Sequence, residues 1–180
     1  SLIGLGALGL QPLVAIRWLN AVLFGTNILL AGWIVWRAGG GKVGALLTGL
    51  LVLLSDVLLE THGWAMSEAL NLTLSLLAVL AFQQFIRDPR WVWLAGSVLA
   101  AALACLTRYA GIPMVAAIAL GLLIYSPARG FWKRLGHAAI FGAASLLPMA
   151  AWWLRNQLVT GQALHYSSFH WAWPTVDTAR

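Results

Sequence analysis

Stretches of about 20 mostly apolar residues follow one another along the whole chain, separated by short segments that hold single or paired basic residues. A helix rises 1.5 Å per residue, so about 20 such residues cross the roughly 30 Å hydrocarbon core of a bilayer. Only helices and closed barrels satisfy their backbone there, and runs of this length are helical. The pattern therefore predicts an all-α membrane protein: a polytopic bundle of about six transmembrane helices belonging to a larger transmembrane domain, with no soluble globular domain. Composition agrees. Of 180 residues, 61% are apolar and 9% charged, where a soluble domain carries roughly a quarter charged.

The spans are expected near 12–36, 43–60, 67–86, 91–107, 111–125 and 137–158. Residues 1–11 read as the end of an external loop or a membrane-surface segment, and 159–180 as an external interfacial tail holding His165 and His170. Both ends look cut, so part of the protein is expected to lie outside this sequence. The loops carry Arg37, Lys42, Arg87, Arg90, Arg129, Lys133 and Arg134 on one side, against Arg17, Arg108, Arg155 and Arg180 on the other. The positive-inside rule places the first set in the cytoplasm. The net charge of +6 comes from these scattered residues, not from a patch, which argues against nucleic acid. A lone cysteine, Cys105, excludes intrachain disulfides and multi-cysteine zinc sites. Ala38-Gly39-Gly40-Gly41-Lys42 is a flexible turn that lacks the phosphate-loop pattern.

Most of the acids gather in residues 56–68. Asp56 and Glu60 stand four apart, which puts them on one face of the second helix. An unpaired carboxylate a turn inside the apolar zone costs about 2.5–3.5 kcal/mol, so Asp56 calls for a partner. Glu60 and His62 also fit a solvated loop. Glu68 follows Ser67, a candidate cap for the third helix, and in a first turn the macrodipole favours a carboxylate. His62, Glu60 and Glu68 have the ligand types for a metal, but their spacing matches no known signature. His137 sits at a helix start and reads as structural. Arg108, in Leu106-Thr107-Arg108-Tyr109-Ala110-Gly111, runs against the basic asymmetry and so calls for a partner. Its fork suits phosphate or carboxylate, and the plain alternative is a snorkelling helix-end arginine. Arg155, beside Trp152 and Trp153, fits that alternative better.

Four stretches carry a resemblance: IRWLNAVLFGTNILLAGWIVWR at 16–37, AMSEAL at 65–70, ACLTRYAGIPMVAAIAL at 104–120 and LPMAAWWLRNQLVTGQAL at 147–164. In order and spacing they resemble bacterial membrane glycosyltransferases of the C-type superfamily, which contains protein O-mannosyltransferases and lipid A aminoarabinose transferases. The resemblance implies transfer of a sugar from a polyprenyl-phosphate carrier to an acceptor on the non-cytoplasmic side. It implies an integral protein of the bacterial inner membrane with its active side facing the periplasm. The catalytic acid of such enzymes sits in the first large external loop, which here precedes Ser1, so these 180 residues alone are expected to be inactive. Glu68 falls at the family's external helix-start acid, with Ala69 departing from the usual proline. Arg108 falls where a basic residue follows Leu-Thr, which implies contact with the carrier phosphate. Tyr109, Asp56, Glu60, His62 and Arg155 complete the candidate carrier- or substrate-binding set. Membrane lipid is an expected partner and nucleic acid is not. No metal ligand or cofactor is assigned, and a divalent metal stays open, as do the sugar and the acceptor. The competing readings are a secondary transporter, which would hold polar groups on broken midplane helices, and a non-catalytic membrane subunit.

Overall fold

The computed structural model describes residues 12–63 and 67–160, and no strand occurs among them. Among the described residues seven α-helices follow in order: α1 (Pro12–Val35), α2 (Gly41–Leu53), α3 (Asp56–Gly63), α4 (Glu68–Arg87), α5 (Trp91–Thr107), α6 (Gly111–Tyr125) and α7 (Phe131–Thr160). The segments 1–11 and 161–180, with His165 and His170, lie outside the described residues. The stretches Val14–Leu53, Glu68–Arg87 and Phe131–Val159 are long and apolar enough to cross a membrane. Helices α5 and α6, with 17 and 15 residues, are shorter and equally apolar. The chain is an all-α membrane-type protein.

The packing is that of a lipid-solvated bundle. Large apolar side chains such as Leu46, Leu51, Val57, Trp132 and Leu147 point outward, while Ala69, Ala78, Ala101, Ala104, Ser97 and Ser145 are buried. Small residues let helix backbones approach, which matters in lipid because apolar surface gains nothing by leaving it. The α4–α5 seam shows this: Ser97 Oγ donates to the Ala78 carbonyl at 2.8 Å, from one helix to the next. Phe85, Leu94, Val115, Ile118, Leu122, Ala138 and Phe141 fill a buried apolar cluster drawn from α4 to α7.

Val14–Leu53 folds back on itself at a wide turn, Trp36–Gly40, where Gly39 has φ 99° and the following Gly41 φ 64°. Both values are in the left-handed region that glycine enters without penalty. The run read as one helix over 43–60 is two. Helix α2 stops at Leu53 and α3 starts at Asp56, because Ser55 Oγ accepts the Leu58 N–H at 3.4 Å and nucleates a new helix start. Asp56 and Glu60 are therefore on α3, not on the second long helix. Helix α7 contains Pro148, which has no N–H to give the Ala144 carbonyl. The chain divides nearby into two compact units, Ser1–Met149 and Ala150–Arg180, and the end of α7 belongs to the second.

Candidate functional site

The turn between α5 and α6 is built from residues 107–111. Helix α5 closes with the Arg108 N–H on the Ala104 carbonyl at 3.0 Å, and Arg108 itself is extended at φ −156°, ψ 145°. The chain then reverses tightly, with Gly111 N–H on Arg108 O and Ile112 N–H on Tyr109 O, each at 3.0 Å. Gly111 is required here. A Cβ at this position would stand 2.8 Å from Cys105 N and 3.0 Å from Ala104 C, both backbone atoms. The start of α6 thus lies directly against the last turn of α5.

The same turn is fastened to α4. Asn71 Nδ2 donates to the Ala104 carbonyl at 2.8 Å and to Thr107 Oγ1 at 3.2 Å, while the Thr107 hydroxyl donates to Ala104 O at 2.7 Å. One helical turn before Asn71, Glu68 opens α4 and forms an ion pair through Oε1 with Arg108 Nη1. The side chains are 28% and 42% exposed. Glu68 Oε2 is buried and has no hydrogen-bond partner among the described residues. Each charge also complements its own helix: a carboxylate in the first turn of α4 and a guanidinium just after the last turn of α5. The pair therefore leaves a carboxylate oxygen without a donor and the rest of the guanidinium fork partly open to solvent. That combination can take a phosphate or a hydroxyl-bearing ligand.

Ser67 stands at the cap position of α4 but makes no side-chain capping bond. Its carbonyl instead accepts the Asn71 N–H at 2.9 Å. Tyr109 is exposed beside Arg108.

His62 is not a solvated loop residue. It lies on α3, 6% exposed, tilted against the Phe24 ring at 4.8 Å. Its Nδ1 is 2.7 Å from the Leu58 carbonyl, so Nδ1 donates, and Nε2 accepts from Asn27 Nδ2 at 3.1 Å. The fully buried Asn27 also donates to Ala69 O at 3.4 Å, tying α1 to the first turn of α4. Both ring nitrogens are occupied, and among the described residues no three His, Cys, Asp or Glu side chains gather to hold a metal. The grouping of Glu60, His62 and Glu68 as ligands does not form. Asp56 and Glu60 are exposed on α3 without an ion pair among the described residues. Asp56 sits in the first turn of its helix, where the macrodipole supports it. Arg155 is exposed on the part of α7 that falls in the second unit.

The structure thus joins Glu68 and Arg108, leaves the neighbouring Tyr109 exposed, and gives His62 a structural bond network. Asn71 and Asn27, which hold the site's helices together, are absent from the sequence-based candidates. Their signal was an amide side chain inside an otherwise apolar run, where a lone polar group requires a partner.

Residues 5–154 match the sequence model of the dolichyl-phosphate-mannose-protein mannosyltransferase family. No curated protein and no solved structure matches the chain.

Proposed function

Because the chain belongs to the dolichyl-phosphate-mannose-protein mannosyltransferase family, a family of membrane glycosyltransferases, we propose that it carries the carrier-phosphate site of an enzyme that moves a sugar from a polyprenyl-phosphate to an acceptor on the non-cytoplasmic face. The observation that supports this reading is the Glu68–Arg108 pair, with one carboxylate oxygen buried and unpartnered. In such a transfer the bond from the sugar's anomeric carbon to the carrier phosphate breaks and negative charge grows on the departing phosphate. A guanidinium fixed in place stabilises that charge without reorganising. Glu68 and the Asn71 latch fix it: the carboxylate holds one Nη, and Asn71 holds the turn on which Arg108 sits. Glu68 Oε1 is committed to Arg108, so the role that fits Glu68 is to orient a hydroxyl through Oε2, not to accept the proton of the acceptor.

The topology of the reading follows from the two ends of the bundle. Arg37 donates to Gln84, which brings the turns at 36–40 and 87–90 together. His137 packs edge-on against Trp91 and Phe85 and hydrogen-bonds Ser126, adding the 126–134 loop to the same end. Seven basic residues collect there, consistent with a cytoplasmic side. The Glu68–Arg108 pair stands at the start of α4 and the end of α5, the other end of both helices. Six crossings, with α2 and α3 together forming the second, fit this arrangement.

The test is turnover of a polyprenyl-phosphate-linked sugar by the full-length enzyme carrying Arg108→Ala, Arg108→Lys and Glu68→Gln. Removing one preorganised charge-stabilising donor costs about 10²–10³-fold in turnover. Arg108→Ala is expected to fall in that range, and lysine to recover part of it by charge without the fork. Near-normal turnover in both Arg108→Ala and Glu68→Gln, with folding intact, would show that the pair is only a helix-end latch.

A further inference from the structure

At the opposite end from the Glu68–Arg108 pair, Trp33, Trp36, Arg37 and Arg87 line a cavity of about 360 Å3. This volume is within the roughly 300–1,000 Å3 of small-molecule sites. The four residues come from two places in sequence: the end of α1 with its wide turn, and the last residue of α4. The Arg37 donation to Gln84 holds the two together.

The charges that line this cavity are of one sign. Two guanidiniums line one space, and no acid neutralises either among the described residues. Asp88, next in sequence to Arg87, is bound to Arg90 at 3.1 Å. Arg37 uses one Nη on the neutral Gln84 amide, and its Nε is buried without a partner. Like charges that share a space repel unless an anion or water receives them. A buried guanidinium N–H with no acceptor costs more still. An anion with several acceptor oxygens, such as a phosphate, matches the donors that line this space.

The rim identifies the source of that phosphate. Trp33 and Trp36 are three residues apart, and their indoles are about half exposed, 48% and 54%. Indoles of this kind sit at headgroup level, apolar body toward the acyl chains and N–H toward water. We propose that this cavity is a binding site for the phosphate headgroup of an anionic membrane phospholipid, with Arg37 and Arg87 on the phosphate and the two indoles against the upper acyl chains. The site is separate from the carrier-phosphate site. It rests on the membrane character of the fold and not on the transferase reading, so a lipid-binding readout distinguishes failure of one from failure of the other.

The experiment uses the full-length protein, purified in detergent and titrated with dioleoylphosphatidylglycerol, dioleoylphosphatidylcholine or glycerol 1-phosphate, with bound molecules counted by native mass spectrometry. Arg87 has no partner among the described residues to lose, so Arg87→Gln removes charge without endangering the fold; an unchanged melting temperature in the absence of lipid checks this. The expected result is one saturable phosphatidylglycerol, held several-fold more tightly than phosphatidylcholine. Arg87→Gln should weaken it about tenfold, the scale of one charge-assisted bond. The double variant Arg37→Gln/Arg87→Gln should bind phosphatidylglycerol no better than phosphatidylcholine. Unchanged stoichiometry and affinity in Arg87→Gln would overturn the proposal. So would glycerol 1-phosphate binding as tightly as the lipid, since the cavity would then serve a soluble anion.

Discussion

Replacing Gly111 with alanine adds one methyl group at the point where α6 begins against the last turn of α5. That methyl would lie 2.8 Å from Cys105 N, and 3.0 Å from both Ala104 C and Cys105 Cα. None of these is a flexible side-chain end; all belong to a helix backbone held by its own hydrogen bonds. Ordinary carbon contacts lie near 3.5–4.0 Å, so relief requires the two helices to separate by about half an ångström or more. Forcing a methyl into a packed site costs about 1–3 kcal/mol. For a chain of this length each kcal/mol lowers the melting temperature by roughly 2–4 °C, so Gly111→Ala should melt several degrees below wild type. The same shift moves the turn carrying Arg108, three residues earlier, relative to Glu68 on α4. A displacement approaching 1 Å in a positioned group can cost about 10²-fold in rate. Turnover in the full-length enzyme should therefore fall further than stability alone explains. Gly142→Ala is the control: nothing lies within 4 Å of a Cβ at that position, and alanine is the better helix former. The reasoning fails if Gly111→Ala melts with wild type and turns over normally while Gly142→Ala behaves as expected.

Asn27→Ala leaves His62 Nε2 without its donor and Ala69 O without its cross-helix bond, in a fully buried place. A loss of about 1–3 kcal/mol is expected by thermal melting, the cost of an unsatisfied buried polar group. Asn27→Ala and His62→Ala should be strongly non-additive, because they break one contact. In a Cys105→Ala background, Arg129→Cys should react with a membrane-impermeant thiol reagent only after the cytoplasmic side is opened, and Ser67→Cys from the outside of intact cells. The reverse labelling pattern would invert the topology.

The fold class was legible because the length and apolarity of the runs leave few alternatives in lipid. Helix ends were legible where the chain carries several stop signals together, as at Thr107–Gly111. The break at Leu54–Ser55 was hidden, because one serine hydroxyl makes it and apolar residues continue on both sides. Arg108 was recognisable as a charge in need of a partner, and Glu68 as a carboxylate at a helix start. Their distance of 40 residues in sequence left open whether α4 and α5 would bring them to one end. That information resides in the seam, in the Ser97–Ala78 bond and the alanines around it, which set the two helices antiparallel at close range.

His62 shows what carries information in such a chain. Leucines and valines face lipid as readily as they face protein, so their pattern says little about which side of a helix meets another. A polar side chain in the same run cannot be indifferent, since lipid offers it no hydrogen bond. Asn27 and Asn71 both act at the start of α4, Asn27 reaching it from α1 and Asn71 reaching from it to α5. Each satisfies an acceptor on a neighbouring helix, and together they fix the turn from which Glu68 reaches Arg108. Asn71→Leu should keep the apolar volume of the seam while removing both bonds to the α5 terminus. If the latch positions Arg108, this variant lowers turnover in the full-length enzyme while the protein still inserts and folds. If turnover is unchanged, the ion pair with Glu68 alone is enough to hold the guanidinium in place.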